Sequence, residues 1–188
     1  KLISLSLDQK DEINTWTARG QRVLLVAEIY DNKTPLKDID SKVQGKILGA
    51  VILNNNLRDG VKETIDFLQS EAVTIKVISG DNPKTVEYIA AQAGINNPTK
   101  SITGVALAGL SEKQFAKAAD EHTIFARVLP EQKEQLIAYF EDKGNFTGMV
   151  GDGVNDALAL KKADLGVAMF AGAASSRKVA DIILLNNS

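Results

Sequence analysis

The chain has 188 residues, of which 44% are apolar and 24% are charged, and its net charge is −2. These proportions are ordinary for a globular protein, and the charge balance gives no basis for a nucleic-acid partner or for an anionic membrane surface. The sequence contains no cysteine and one histidine, His122, which excludes disulfides, thiolate metal sites and histidine-rich metal sites. No apolar run is long enough to cross a bilayer.

The first part of the chain predicts one helix followed by two strands. The helix is expected over 7–20, with Asp8 as its N-terminal cap. Segments 21–30 and 46–53 are rich in Val, Leu and Ile, which is typical of strands. The polar segment 31–45 between them predicts a loop.

From residue 59 onward, helical and strand patterns alternate. We expect helices over 59–71, 83–93, 111–120, 130–143 and 175–178, and strands over 73–78, 123–126 and 180–185. The segment 145–169 predicts a strand, a tight turn, a helix, a short loop and a second strand. Strands that alternate with helices predict a parallel sheet covered by helices on both faces.

Two acids and an amide crowd the turn in segment 145–169. Asp152 lies between two glycines directly after an apolar strand, and Asn155 and Asp156 follow at the start of a helix. The carboxyl end of a strand is where open α/β sheets bind ligands. Two carboxylates this close repel each other unless a cation lies between them, and their oxygens suit Mg²⁺. The alternative is a polar loop in which an Asp caps the helix.

A second candidate site follows the strand predicted over 73–78. Ser79 and Gly80 stand at the strand end, and a helix starts at Pro83. The hydroxyl and the glycine amide can both donate to an anion, and the helix N-terminus adds positive potential. The alternative is a plain N-cap by Asp81 or Asn82.

A third candidate is Lys133, which falls in the first turn of the predicted helix 130–143. A cation there opposes the helix dipole, so its position suggests a nearby anion that compensates it. The alternative is a solvated lysine on a helix surface.

These stretches resemble motifs of the P-type cation-transporting ATPases, in that family's order. The motifs are Gly-Asp-Gly-Val-Asn-Asp-Ala at 151–157, Ser-Gly-Asp at 79–81, and Phe-Ala-Arg-Val at 125–128 followed by Pro130 and Lys133. The family usually has Thr where Val150 stands and Pro where Leu158 stands, and neither residue supplies a metal ligand. At the family's hinge motif, Asp-Pro-x-Arg, only Arg58 is retained, and Arg58 could equally be a surface arginine.

The resemblance implies an α/β fold. Residues 56–188 would form the main part of a phosphorylation domain, a haloacid-dehalogenase-like three-layer Rossmann-type parallel sheet with helices on both faces. Residues 1–55 would be the C-terminal part of a nucleotide-binding domain and the hinge. By the same resemblance, the catalytic residues are Ser79, Gly80, Lys133, Asn155 and Asp152, of which the first four would hold the phosphoryl oxygens. The residues that bind the nucleotide would be Asp81, Arg127, Arg58 and Lys133. The residues at the metal would be Asp152 and Asp156.

The implied activity belongs to a whole pump. ATP is the implied substrate and Mg²⁺ the cofactor, and an aspartyl-phosphate intermediate would couple ATP hydrolysis to cation transport. The membrane part, which carries the cation, would lie outside this sequence, with the present segment on the cytoplasmic side. The partners would be ATP and the rest of the pump chain, with no nucleic acid.

The family's nucleophile motif, Asp-Lys-Thr-Gly-Thr, does not occur in this sequence. Asp31 follows an apolar strand but lacks the Lys directly after it and the Gly-Thr that should follow. Asp38 and Asp40 have the Asp-x-Asp spacing of related phosphatases, but a polar segment precedes them instead of a strand. We therefore expect a segment of a pump that lacks the nucleophile strand. Two alternatives are a soluble phosphatase of the same superfamily and a non-enzymatic module that has lost its nucleophile.

The missing strand has a structural consequence. In the superfamily it lies between the strand that ends at Ser79 and the strand that ends at Val150. Because unpaired buried backbone groups each cost about 1–3 kcal/mol, we expect the gap to be filled. The two strands could pair directly, another segment could insert, or a second molecule could donate a strand. Strand 21–30 is the best internal candidate for insertion.

Overall fold

The computed structural model describes residues 5–30, 45–54 and 56–185. Its contacts divide the chain into two compact units, one that ends at Leu57 and one that begins at Arg58. Most of the loop expected over 31–45 lies outside the described residues, including Asp31, Asp38 and Asp40. Its last residue, Gly45, is described and begins a strand.

The first unit consists of one helix and a two-stranded antiparallel sheet. Its elements are helix α1 (Leu7–Ala18) and strands β1 (Arg22–Ile29) and β2 (Gly45–Leu53), which confirms the helix and both strands. The cap is different: the Ser6 hydroxyl accepts from the Gln9 amide, and the Gln9 side chain accepts from the Ser6 amide. The prediction of Asp8 as cap was therefore wrong, because Ser6 and Gln9 have the three-residue spacing of a capping box.

Strand β1 pairs with β2 along its whole length, from Arg22 opposite Leu53 to Ile29 opposite Gly45. The prediction that segment 21–30 inserts into the parallel sheet was therefore wrong. Strand β1 belongs to a two-stranded sheet, in which its backbone hydrogen bonds are made to the antiparallel strand β2 of the same unit.

The second unit alternates strands and helices. Its strands are β3 (Val77–Ser79), β4 (Ser101–Thr103), β5 (Ile124–Ala126), β6 (Gly148–Gly151), β7 (Leu165–Met169) and β8 (Ile182–Leu184). Its helices are α2 (Val61–Ser70), α3 (Pro83–Gln92), α4 (Gly104–Ala108), α5 (Glu112–Glu121), α6 (Pro130–Asp142), α7 (Ala157–Lys162) and α8 (Ala174–Val179), with a 3₁₀ turn at Val154–Asp156. Of these elements, β4 and α4 were not expected from the sequence.

The strands form two parallel three-stranded sheets, with orders β3-β5-β4 and β6-β7-β8. Strand β5 is central in the first sheet and is fully buried. Helix α6 packs against both sheets. Its Leu136 lies in one core cluster with Phe125 of β5, and its Ile137 lies in another with Met149 of β6. Because α6 begins at Pro130, four residues after β5 ends at Ala126, the start of α6 lies close to the carboxyl end of β5.

One side of β3 and one side of β6 have no strand partner in the part of the chain that the structure describes. Among the described residues, β3 and β6 do not pair with each other and no strand inserts beside either edge, so the expected filling of the gap is not observed there. No described helix is long and apolar enough to cross a membrane.

Candidate active site

The candidate site lies in the loops that follow β3, β5 and β6. Strand β3 ends at Ser79, directly opposite Ala126 at the end of β5. The amide of Val128 donates to the Ser79 carbonyl at 3.3 Å. The loops after β3 and β5 are therefore joined at the same edge of the sheet, as expected for parallel strands.

A buried ion pair joins α6 to the loop after β6. The Nζ atom of Lys133 donates to Oδ1 of Asp156 at 2.6 Å, and both residues are buried. The second carboxylate oxygen of Asp156 accepts from the Gly153 amide at 2.9 Å. The anion that offsets the unfavourable helix-dipole position of Lys133 is thus a side chain of this protein.

This arrangement changes what Asp156 can do. Both of its oxygens already accept hydrogen bonds from protein groups, so its geometry fits a residue that orients Lys133 and the turn. Direct coordination of a metal by Asp156 stays a prediction that would need the remaining lone pairs of these oxygens.

Asp152 is different, because its side chain is exposed at the end of β6. Among the described residues, neither its carboxylate nor the Asn155 side chain has a hydrogen-bond or ion-pair partner. Both side chains offer oxygen ligands of the kind that Mg²⁺ prefers. The described residues contain no group of three or more metal-ligating carboxylate or imidazole side chains. The residues therefore fit a partial Mg²⁺ site, to which other groups would have to contribute.

The turn after β3 presents donors. The Ser79 hydroxyl oxygen accepts from the Asp81 amide at 3.1 Å, which leaves its own proton to donate elsewhere. The cap of α3 is Asn82, whose side chain accepts from the Lys84 amide at 3.0 Å. Gly80 is an exposed residue of the same turn. Capping therefore does not require Asp81.

Arg127 is exposed and has a left-handed backbone conformation, with φ of +52°. Non-glycine residues adopt this conformation rarely and at a cost. It is held by tight packing: a Cβ added at Gly104 would lie 2.4 Å from the Arg127 carbonyl oxygen. The buried Gln132 side chain donates to the Gly104 carbonyl at 2.7 Å and accepts from the Leu129 amide at 2.9 Å.

Sequence reasoning missed Gly104 and Gln132, which hold the Arg127 loop. Gln132 lies three residues after Leu129, the residue that precedes α6, and a Gln at this spacing is a capping signal. No other feature of the sequence indicates the contacts of Gln132 with Leu129 and Gly104. Arg58 lies elsewhere, exposed just before α2, with its carbonyl accepting from the Val61 amide at 3.4 Å.

Comparison with known proteins adds independent information. The model of a hydrolase family, the haloacid dehalogenase-like hydrolases, matches residues 3–164. The chain belongs to this family. The haloacid dehalogenase-like assignment confirms the fold class expected from the sequence, and the parallel sheets flanked by helices agree with it.

Similar curated proteins are named as cation-transporting or calcium-transporting ATPases. The chain is 37% identical over 172 residues to a probable cation-transporting ATPase, exp7, of Streptococcus pneumoniae serotype 4. It is 39% identical over 170 residues to the calcium-transporting ATPase CtpE of Mycolicibacterium smegmatis. Each match covers 90% of this chain and 21% of the relative, so the chain spans about a fifth of the length of these proteins. The resemblance to cation-transporting ATPases drawn from the motifs is confirmed.

Proposed function

We propose that this chain is part of the cytoplasmic catalytic region of a P-type pump, where it holds the transferred phosphoryl group and its Mg²⁺. The observation that carries the proposal is the exposed Asp152 carboxylate, without a partner among the described residues, beside the buried pair of Lys133 and Asp156. The names of the similar proteins support cation transport as the function of the whole protein. In that protein, located in a membrane, ATP hydrolysis through an aspartyl-phosphate would drive cation movement.

Different residues of this chain would bind the metal and the phosphoryl group. Asp152 would ligate Mg²⁺, with Asn155 beside it. The Ser79 hydroxyl and the Gly80 amide would donate hydrogen bonds to phosphoryl oxygens, because both are presented at the end of β3. Mg²⁺, when bound, would neutralise negative charge on the phosphoryl oxygens.

Lys133 would place a positive charge at the start of α6. Because the Asp156 carboxylate holds its ammonium group, that charge is pre-oriented before a phosphate arrives. Asp156 therefore acts through Lys133 and through the Gly153 amide. A positive group held in place needs no reorganisation when charge develops at the reacting phosphorus.

Three further residues are proposed near the nucleotide. Arg127 is exposed and its backbone is fixed in an uncommon conformation, a feature that is frequent at functional sites. Asp81 follows the donors of the β3 turn. Arg58 stands at the junction between the two units of the chain, where the family motif has its hinge arginine.

The decisive experiment is an Asp152→Asn substitution in the full-length pump. We expect loss of Mg²⁺-dependent phosphorylation by ATP, since the substitution removes the charged metal ligand and leaves the side-chain volume unchanged. The matched control is Asp142→Asn, which removes the same charge at the end of α6, where the side chain is exposed. Normal phosphoenzyme levels in the Asp152 variant would overturn the proposal.

A further inference from the structure

The turn that carries Asp152 is hydrogen-bonded to the segment that follows β7. We name this segment, residues 170–177, the clasp. The Ala173 amide donates to the Asp152 carbonyl at 2.7 Å. The Ser176 hydroxyl donates to the Gly153 carbonyl at 2.5 Å, and Ser176 has no exposed surface. Two consecutive carbonyls of the turn are thus bonded to the clasp.

The clasp also packs tightly against the turn. A Cβ added at Gly172 would lie 2.6 Å from the Asp152 carbonyl oxygen and 2.9 Å from its Cα atom. Contacts this short do not occur for real Cβ atoms, so only glycine permits this approach. The Asp152 backbone therefore has no room to move toward the clasp.

Arg177 orders the clasp itself. Its Nη1 atom donates to the carbonyls of Phe170 and Gly172, both at 2.6 Å, and its guanidinium lies 5.6 Å from the centre of the Phe170 ring. Since one planar cation bonds two carbonyls of the same loop, the loop that carries Gly172 is fixed in shape.

We propose that Ser176 is a positioning residue for the Asp152 carboxylate, with Arg177 supporting it. This inference rests on the proposed function. The turn is bonded on one side to Asp156, through the Gly153 amide, and on the other side to the clasp, through the Gly153 carbonyl. The peptide groups around Asp152 thus have one orientation, and the Asp152 side chain is displayed from a rigid base.

A rigid base matters because a metal ligand must be held close to its productive geometry, within about 0.5 Å. The Gly153 carbonyl also accepts from the Asp156 amide at 3.0 Å. Without the Ser176 hydroxyl, that bond remains, but the turn loses its side-chain hydrogen bond to the clasp and is free to shift away from it. Groups that orient a metal ligand typically change metal affinity by about 10–100-fold when they are removed.

The test uses the 188-residue chain with Mn²⁺ as a paramagnetic probe for the Mg²⁺ site. Broadening of the backbone amide signals of residues 151–155 is followed by NMR as Mn²⁺ is added, and competition with Mg²⁺ confirms the site. We expect Ser176→Ala to weaken Mn²⁺ binding at these amides by about tenfold. Arg177→Met is the second variant, in case Ser176→Ala fails to fold, and it should weaken binding in the same direction.

The matched control is Ser175→Ala. The Ser175 hydroxyl is buried and has no hydrogen-bond partner among the described residues, so its removal should leave Mn²⁺ affinity unchanged. A purely structural role for Ser176 would lower the denaturation midpoint of its variant and leave the affinity of the folded protein equal to that of Ser175→Ala. That result would overturn the positioning role.

Asp152→Asn separates this inference from the proposed function. If Asp152→Asn removes the broadening and Ser176→Ala and Arg177→Met do not weaken it, Asp152 is the ligand and the clasp does not position it. If Asp152→Asn keeps the wild-type broadening, the proposed metal role of Asp152 fails and the inference fails with it. If the wild-type chain shows no broadening at residues 151–155, the inference that the clasp positions a metal ligand in this chain fails, whereas the role of Asp152 in the whole protein is decided by the phosphorylation experiment.

Discussion

Lys133 and Asp156 form an ion pair with an N–O distance of 2.6 Å, and their side chains are only 10% and 11% exposed. The pair joins the first turn of α6 to the 3₁₀ turn after β6. It therefore connects two of the motifs that the sequence presents 23 residues apart. A charge pair this well shielded from water is costly to break on one side only.

Replacement of Lys133 by Met should lower the free energy of unfolding by about 3–5 kcal/mol, because it leaves the Asp156 carboxylate buried without its cation. Urea denaturation followed by circular dichroism measures this change. The double variant Lys133→Met with Asp156→Asn should be less destabilised than the sum of the two single variants, because it removes both charges.

A surface pair of the same length is the control for this prediction. Lys62 and Asp66 also lie 2.6 Å apart, but their side chains are 62% and 52% exposed. Since exposed pairs are screened by water, Lys62→Met should shift the denaturation midpoint far less than Lys133→Met. Equal shifts would mean that burial of the Lys133 pair has no energetic consequence.

Two glycines at the ends of β3 and β6 should respond differently to the addition of one methyl group. A Cβ at Gly151 would lie 2.6 Å from the Asp156 Cβ atom, whereas a Cβ at Gly80 would have nothing within 4 Å. Because Asp156 is held by Lys133 and Gly153, it cannot easily move aside. Gly151→Ala should therefore cost about 1–3 kcal/mol of stability.

Gly80→Ala is the comparison, and its effect on stability should stay within about 0.5 kcal/mol. Thermal unfolding of both variants under identical conditions measures the difference. A Gly80 variant as unstable as the Gly151 variant would contradict the packing described for the two turns.

The sequence predicts best the elements that carry an explicit start signal. Helices α3 and α6 begin with Pro83 and Pro130 as expected. At the start of α5, where a helix was expected from residue 111, the Gln114 side chain accepts from the Ser111 amide. Strands of three residues are harder to predict, because the alternation of apolar and polar residues hardly repeats in so short a segment. Strand β4 was missed for this reason, and the strand expected over 73–78 is confined to Val77–Ser79.

The places of the candidate site residues in the fold were predictable from the sequence, but their contacts were not. The motifs placed Ser79, Lys133 and Asp152 at strand and helix ends, where the structure has them. They did not reveal that the partner of Lys133 is Asp156, nor that Ser176 bonds to the Gly153 carbonyl. These contacts join positions more than 20 residues apart, and no local propensity or spacing encodes them.

The pair of Asp120 and Lys143 should make stability depend on pH in acid. The hydrogen bond from Lys143, at 2.7 Å, holds the pKa of Asp120 below its ordinary value of 3.8. Between the lowered pKa and 3.8 the unfolded chain binds more protons than the folded one, so the free energy of unfolding rises with pH. The contribution is complete above pH 3.8 and is lost as pH falls through the lowered pKa.

Asp120→Asn should remove this part of the pH dependence, measured as denaturation midpoints across the acid range. Lys143→Met should remove nearly the same part, and the double variant should remove little more, because the two residues share one interaction. The pair is half exposed, so the effect should be small and should weaken in high salt. If Asp120→Asn keeps the full acid dependence of the wild type, the pair does not couple folding to pH.

The last prediction concerns the chemistry of the 188-residue chain by itself. A phosphoenzyme of this family needs a carboxylate nucleophile, and the motif Asp-Lys-Thr-Gly-Thr does not occur in this sequence. Loss of the covalent nucleophile removes the reaction path, not merely part of the rate. With labelled ATP and Mg²⁺, the chain should therefore form no acid-stable phosphoenzyme and release no phosphate above a blank.

Asp31→Asn is the informative variant for this experiment, because Asp31 is followed by Lys33 and Thr34 in a partial match to the nucleophile motif. An inactive wild-type chain agrees with the proposed function, in which the nucleophile comes from outside these residues. Phosphate incorporation that disappears in Asp31→Asn would instead identify Asp31 as a nucleophile. The site would then be self-sufficient, and the chain would act as a phosphatase-like enzyme of the haloacid dehalogenase-like family.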